Sequence, residues 1–129
     1  MKRIILFMFL LLSEHGYACI GLVLNEELSS QLVIEKYSEK NKYKISGPTH
    51  ISGSKNEAKI YLVYTSTNER DLDINDEMIE LKTIIDGGVS YAEFYVALMK
   101  SKPYILVEWE GETQGSCSGV AITNFIEVE

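Results

Sequence analysis

From Ala58 onward, apolar and polar residues alternate in short runs separated by turn-forming residues, a period-two pattern that predicts β-strands. Ile60, Leu62 and Tyr64 alternate with Lys59, Tyr61, Val63 and Thr65, a run too short and too β-branched for a helix, and its character is that of a central strand. Met78 to Ile85 alternates again, with Ile79, Leu81 and Ile85 set against Glu80 and Lys82, and it ends in Asp86-Gly87-Gly88. Those glycines supply the positive φ of a tight hairpin turn, so Val89 to Met99 is expected to return beside it. Ala92, Phe94, Val96 and Leu98 then share one side and Tyr91, Glu93, Tyr95 and Met99 the other. In Tyr104 to Glu110, Ile105, Val107 and Trp109 form a core face, which leaves Glu108 and Glu110 on the solvent side. Ser118 to Val128 closes the chain, with Val120, Ile122, Ile126 and Val128 on one face and Ala121, Thr123 and Phe125 on the other.

The first half is patterned less sharply. Ile20 to Leu24 is apolar and strand-like, and Asn25 to Ser30 suits a loop or a helical turn. Gln31 to Tyr37 and Tyr43 to Ile45 flank Ser38-Glu39-Lys40-Asn41-Lys42 as the arms of a hairpin. Gly47-Pro48 and Gly53-Ser54 bracket a loop that contains His50. Seven or eight short strands at intervals of roughly ten residues, without a long amphipathic helix, predict an all-β fold, a single antiparallel sandwich of immunoglobulin-like architecture. The resemblance is one of strand spacing alone, because Trp109 stands just before Cys117 and not on a strand shortly after the first cysteine.

The N-terminus changes the picture of where this domain works. Met1-Lys2-Arg3 is a basic start, Ile4 to Leu12 is an uninterrupted apolar run, and Gly16 and Ala18 place small residues three and one before Cys19. That is the pattern of a secretory signal peptide over residues 1–18, followed by a β-sandwich domain over 19–129 in a secreted or periplasmic protein. The apolar run is well short of the roughly 20 residues of a membrane-spanning helix, and no second long run follows, so the mature chain is expected to hold no transmembrane segment. Cys19 then has competing roles. It resembles the acylated cysteine of bacterial lipoproteins, although Gly16 and Tyr17 depart from the residues usual before that cysteine and no polar spacer follows it. The alternative is a disulfide to Cys117, the only other cysteine, closing nearly the whole domain into one loop worth about 4–5 kcal/mol before strain. Two buried free thiols are the third possibility.

The formal charge is −7, and setting aside Lys2, Arg3 and Glu14 leaves 10 basic and 18 acidic residues, a balance of −8, from Cys19 onward. No basic stripe is available to neutralise phosphates, which disfavours nucleic acid and anionic membranes and points to another protein as partner.

Few residues suggest chemistry. Asp71, Asp73 and Asn75 repeat oxygen ligands at alternate positions as in a calcium loop, but Asp76 replaces the sharp-turn glycine and Lys82 the bidentate glutamate, which leaves at most a weak calcium site. Gly115-Ser116-Cys117-Ser118-Gly119 has the spacing of a nucleophile elbow, yet a strand-like run follows it and no histidine does. Glu108 and Glu110 share a strand face, as a glycosidase pair would, and His50 is a lone loop histidine. A hydrolase would need a pocket that gathers His50 with carboxylates, and nothing in the pattern predicts one. Tyr91, Glu93 and Tyr95, with Tyr61, Tyr104 and Glu108, suggest an acidic, tyrosine-bearing sheet face of the kind that binds proteins or sugars. The expected function is that of an exported, non-enzymatic binding domain without a cofactor. The competing expectation is an envelope assembly module pairing through an edge strand, at Leu32 to Tyr37 or at the C-terminal strand.

Overall fold

The computed structural model describes residues 26–67, 69–70, 76–97, 101–111 and 117–128, with the backbone alone at 117 and 118. The chain forms a short helix α1 (Glu26–Ser30) and eight strands: β1 (Val33–Lys36), β2 (Lys42–Pro48), β3 (Lys59–Thr65), β4 (Glu77–Glu80), β5 (Ile84–Asp86), β6 (Val89–Tyr95), β7 (Lys102–Glu110) and β8 (Cys117–Ile122). They make two four-stranded antiparallel sheets, in the orders β1-β2-β6-β5 and β4-β3-β7-β8. The fold is an all-β sandwich.

Local chemistry sets the hairpins. Asn41 takes φ 58° at the end of the β1–β2 turn, a left-handed conformation that asparagine tolerates better than most residues. Gly87, at φ 62°, turns β5 into β6 with Asp86 facing Val89, a two-residue connection of the kind that needs positive φ. Between the sheets lies one apolar core, built from Tyr43 and Ile45 of β2, Ile60, Leu62 and Tyr64 of β3, Ala92 and Phe94 of β6, and Ile105, Val107 and Trp109 of β7. Polar atoms inside it are used to tie the layers together. The Trp109 indole N–H of the second sheet donates to the Pro48 carbonyl of the first at 3.0 Å, and the Tyr43 hydroxyl donates to the Glu127 carbonyl at 2.6 Å.

Several expectations are corrected. Glu26 to Ser30 forms α1, the helical alternative expected there, but β2 runs on through Gly47 and Pro48, which, expected in a loop, instead pair with Ser90 and Val89. A side chain at Gly47 would come within 2.8 Å of Leu32, so glycine here serves close packing within a strand. Met78 to Ile85 is two strands. Leu81 donates its N–H to Ile60 in the second sheet, and three residues later Ile84 pairs with Tyr91 in the first. Alternation records which way a residue faces and carries no information about its partner strand, so the crossing between sheets left no mark in the pattern.

The expected solvent side of β7 is buried. Tyr104 and Leu106 belong to a second apolar cluster on the outer face of the second sheet, with Tyr61, Val63, Val120 and Ile122. The C-terminal alternation also changes phase. Val120 and Ile122 join that outer cluster with Phe125, whereas Ala121 and Ile126 pack into the central core, because the chain leaves β8 after Ile122 and follows β7 through Thr123 N–H to Ile105 and Ile126 N–H to Pro103.

Candidate functional site

The outer face of the first sheet is where Tyr91, Glu93 and Tyr95 meet. Because antiparallel partners point to the same side, the register stacks this face in rows. Lys42 opposes Tyr95; Glu35, Lys44 and Glu93 form the next row; Val33, Ser46, Tyr91 and Ile84 the third; Pro48, Val89 and Asp86 the last. One end is therefore charged and aromatic and the other mainly apolar.

At the charged end every long side chain is held by another. The Tyr95 hydroxyl donates to Glu39 at 2.7 Å and the Tyr37 hydroxyl to Glu93 at 2.5 Å. Lys42 lies 3.4 Å from the Glu39 carboxylate, with its ammonium 5.0 Å from the Tyr37 ring centre and 5.6 Å from that of Tyr95. Lys44 sits 4.7 Å over Tyr91 and 3.7 Å from Glu35. These are cation–π and ion-pair distances at a wet surface, weak singly but mutually orienting. They shift proton affinities accordingly. The hydrogen bond from Tyr95 holds the Glu39 carboxyl below its ordinary value, while the bonds to Glu93 and Glu39 push the Tyr37 and Tyr95 phenols up, and the Glu39 hydrogen bond raises Lys42.

At the apolar end Val33, Ile84 and Val89 are 52%, 44% and 47% exposed, and Tyr95 reaches 57% at the other. Clustered exposed apolar side chains beside ordered aromatics are what distinguishes this face from an ordinary solvated one. Tyr37, Glu39, Lys42 and Lys44 escaped the sequence reading; the alternation of Lys42, Lys44 and Ser46 with Tyr43 and Ile45 carried the information once the hairpin register was known. Tyr61 and Tyr104 do not belong to the face, being buried on the other sheet. Four carboxylates, Glu35, Glu39, Glu93 and Asp86, against the ammonium groups of Lys42 and Lys44 leave the face net negative, in keeping with the acidity of the chain as a whole.

Other candidates fall elsewhere. Asp71, Asp73 and Asn75 lie outside the described residues, as do Cys19 and the side chain of Cys117, so neither the calcium loop nor the disulfide is described. Among the described residues no three His, Cys, Asp or Glu side chains converge as metal ligands, and no helix is long and apolar enough to cross a membrane. Cys117 opens strand β8 opposite Glu110, where an elbow would turn into a helix. Glu108 is half-buried and accepts a hydrogen bond from Tyr61 at 3.0 Å; burial pushes its carboxyl up against the opposing pull of that bond. Glu110 accepts from the Asn56 amide.

Against expectation, His50 does share a cleft with Glu57 and Glu80, together with Lys55, Lys59 and Lys82. Among the described contacts no hydrogen bond joins His50 to either carboxylate, and the hydroxyl in that cleft, Thr83, donates to its own backbone at Leu81. A general base needs its proton acceptor within reach of a positioned nucleophile, and this cleft brings the residue types together without that geometry.

The edge strands differ. β8 is capped, since Ile122 donates its N–H to Ser29 of α1, and a side chain at Gly119 would come within 2.6 Å of Leu28. β1 is only four residues long and carries Glu35 and Lys36, features that blunt an edge against pairing. No protein-family model matches the chain, and neither a curated protein nor a solved structure does.

Proposed function

We propose that this chain is an exported, non-enzymatic domain that binds another protein through the outer face of the β1-β2-β6-β5 sheet. The observation that carries the proposal is the set of three tyrosines held upright by Glu39, Glu93, Lys42 and Lys44 beside the exposed Val33, Ile84 and Val89. Tyrosine contributes a large amphipathic contact area with few rotors to immobilise, and side chains already oriented lose less entropy on binding. The net negative charge of the face favours a partner with a basic rim.

Export by a signal peptide over residues 1–18 belongs to the same proposal, as does the Cys19–Cys117 bridge, with acylation of Cys19 as its alternative. Intact-mass measurement of the exported protein before and after reduction separates these outcomes. The immunoglobulin-like architecture is likewise proposed, supported by strand order: β1-β2-β6-β5 opposite β4-β3-β7-β8 parallels the A-B-E-D and C-F-G sheets of that fold with one further edge strand. The binding proposal is tested by capturing envelope proteins on the wild-type domain and on Tyr91→Ala/Tyr95→Ala. A species lost with the double variant but retained by His50→Ala supports it; identical capture by all three refutes it.

A further inference from the structure

A groove of about 980 Å³ opens where β1 and β8, the end strands of the two sheets, pass α1 and the chain that follows Ile122. That volume falls within the roughly 300–1,000 Å³ of small-molecule sites. Strand alternation builds one wall. Val33 and Glu35 of β1 belong to the outer sheet face, so Ile34 and Lys36 turn the other way and line the groove. Leu32 and Ile34 pack on the central core and Phe125 on the outer cluster of the second sheet, each only partly buried, while Tyr43 and Ile126 are buried. Into this apolar lining comes Arg70. Its guanidinium donates to the Thr123 carbonyl at 2.6 Å, a bond to a neutral acceptor that fixes the group and leaves its other N–H donors for a ligand. Among the described residues no carboxylate forms an ion pair with Arg70, although Glu26 and Glu127 line the same groove and are exposed.

We infer that this groove binds a small amphipathic carboxylate, its apolar chain against Leu32, Ile34, Tyr43, Phe125 and Ile126 and its carboxylate paired with Arg70. A guanidinium held beside apolar side chains gains most from an anion that brings its own apolar body, because the ion pair then forms away from competing water. The planar fork of arginine also matches the two oxygens of a carboxylate. Lys36 is the other cation of the lining, but it stands opposite Tyr43, whose hydroxyl is bound to the Glu127 carbonyl, whereas Arg70 is seated on Thr123 at the start of the same segment. Glu26 and Glu127 offset the charge of Arg70 and Lys36, so the groove suits a single negative charge and resists a phosphate dianion. The site is separate from the tyrosine face, since it lies on the opposite side of β1.

The test titrates dodecanoate, below its micellar concentration, into the full-length chain with isotope-labelled methyl groups, beside dodecanol as the uncharged control. Calorimetry reads the affinity and methyl NMR the position. Dodecanoate should bind more tightly than dodecanol and should move the Leu32, Ile34, Ile122 and Ile126 signals while those of Val33, Ile84 and Val89 on the tyrosine face stay in place. Arg70→Gln should weaken dodecanoate by about tenfold, the worth of a charge-assisted hydrogen bond, with dodecanol binding unchanged. Because that change also disturbs the bond to Thr123, Asn124→Asp serves as a second variant. It is an exposed substitution that sets a competing carboxylate beside the residue holding Arg70, and it should weaken dodecanoate severalfold with the emission of Trp109, the sole tryptophan, unchanged. No binding of dodecanoate, equal binding of dodecanol, or signals that move only outside the groove overturns the inference. A loss with Lys36→Gln and none with Arg70→Gln overturns the placing of the carboxylate on Arg70.

Discussion

The two sheets of this sandwich solve the same problem in opposite ways. β6, in the first sheet, alternates between buried and solvent-facing side chains, so one face packs on the core and the other is wet. β3 and β7, in the second, are buried almost continuously after their first residue. The first sheet carries oriented tyrosines and ion pairs on its outer face, each interaction weak by itself. The second has made its outer face a core of its own. A half-wet sheet keeps one face accessible to solvent, and a two-sided one buries both.

The comparison is broken most directly at Leu106. Leu106→Ala, on the outer face of the second sheet, should destabilise by about 2–5 kcal/mol in denaturant unfolding, the range of a true core position. Tyr91→Ala, on the outer face of the first, should leave the midpoint nearly unchanged; similar losses at both would erase the distinction. Gly119→Ala comes next. Its new methyl would press on Leu28 and Ile51 at 2.6 and 2.8 Å, both flexible side-chain ends, so a loss of about 1–2 kcal/mol is expected, and an unchanged unfolding curve would show that α1 is not fixed against β8.

The sheets should also differ in the sign of their pH dependence. Glu108, raised by burial, contributes stability that is full below its unfolded value and lost as pH rises through its higher folded value. Glu108→Gln keeps an acceptor for Tyr61 and should gain on the order of half a kcal/mol at pH 7 relative to pH 4, discounted for its partial exposure. Glu39, lowered by the Tyr95 hydroxyl, has the opposite sign: its contribution is present above its unfolded value and lost as pH falls through the folded one. Tyr95→Phe should reduce that acid-side dependence and leave the part owed to Lys42. The smallest effect is spectroscopic, since Tyr37 and Tyr95 should ionise late in an ultraviolet titration, and early ionisation would show that their carboxylate bonds do not persist in solution.

Much of this was legible in residue patterns, because strand alternation and turn chemistry are local. The hairpin with arms Gln31 to Tyr37 and Tyr43 to Ile45, the Asp86-Gly87-Gly88 turn, the inward Ala92, Phe94 and Val96, and the core face of Ile105, Val107 and Trp109 follow from period two and the need for positive φ. Of the candidate face, Tyr91, Glu93 and Tyr95 could be read from a single strand. Tyr37, Glu39, Lys42 and Lys44 could not, since their proximity depends on the register between β1, β2 and β6.

What the chain order could not carry is the choice of partner across space. Met78 to Ile85 reads as one alternating stretch, yet it is divided between the two sheets, and of its apolar residues Leu81 packs against the common core while Ile79 and Ile85 are 41% and 42% exposed. Tyr61 and Tyr104 have the same amphipathic chemistry as Tyr91 and Tyr95, yet packing buries the first pair and leaves the second pair accessible. The residue pattern determined that this is a β-sandwich, and composition that it is rich in tyrosine. Tertiary structure alone decided which tyrosines meet solvent, since burial depends on what lies above a sheet and that is never a property of the strand itself.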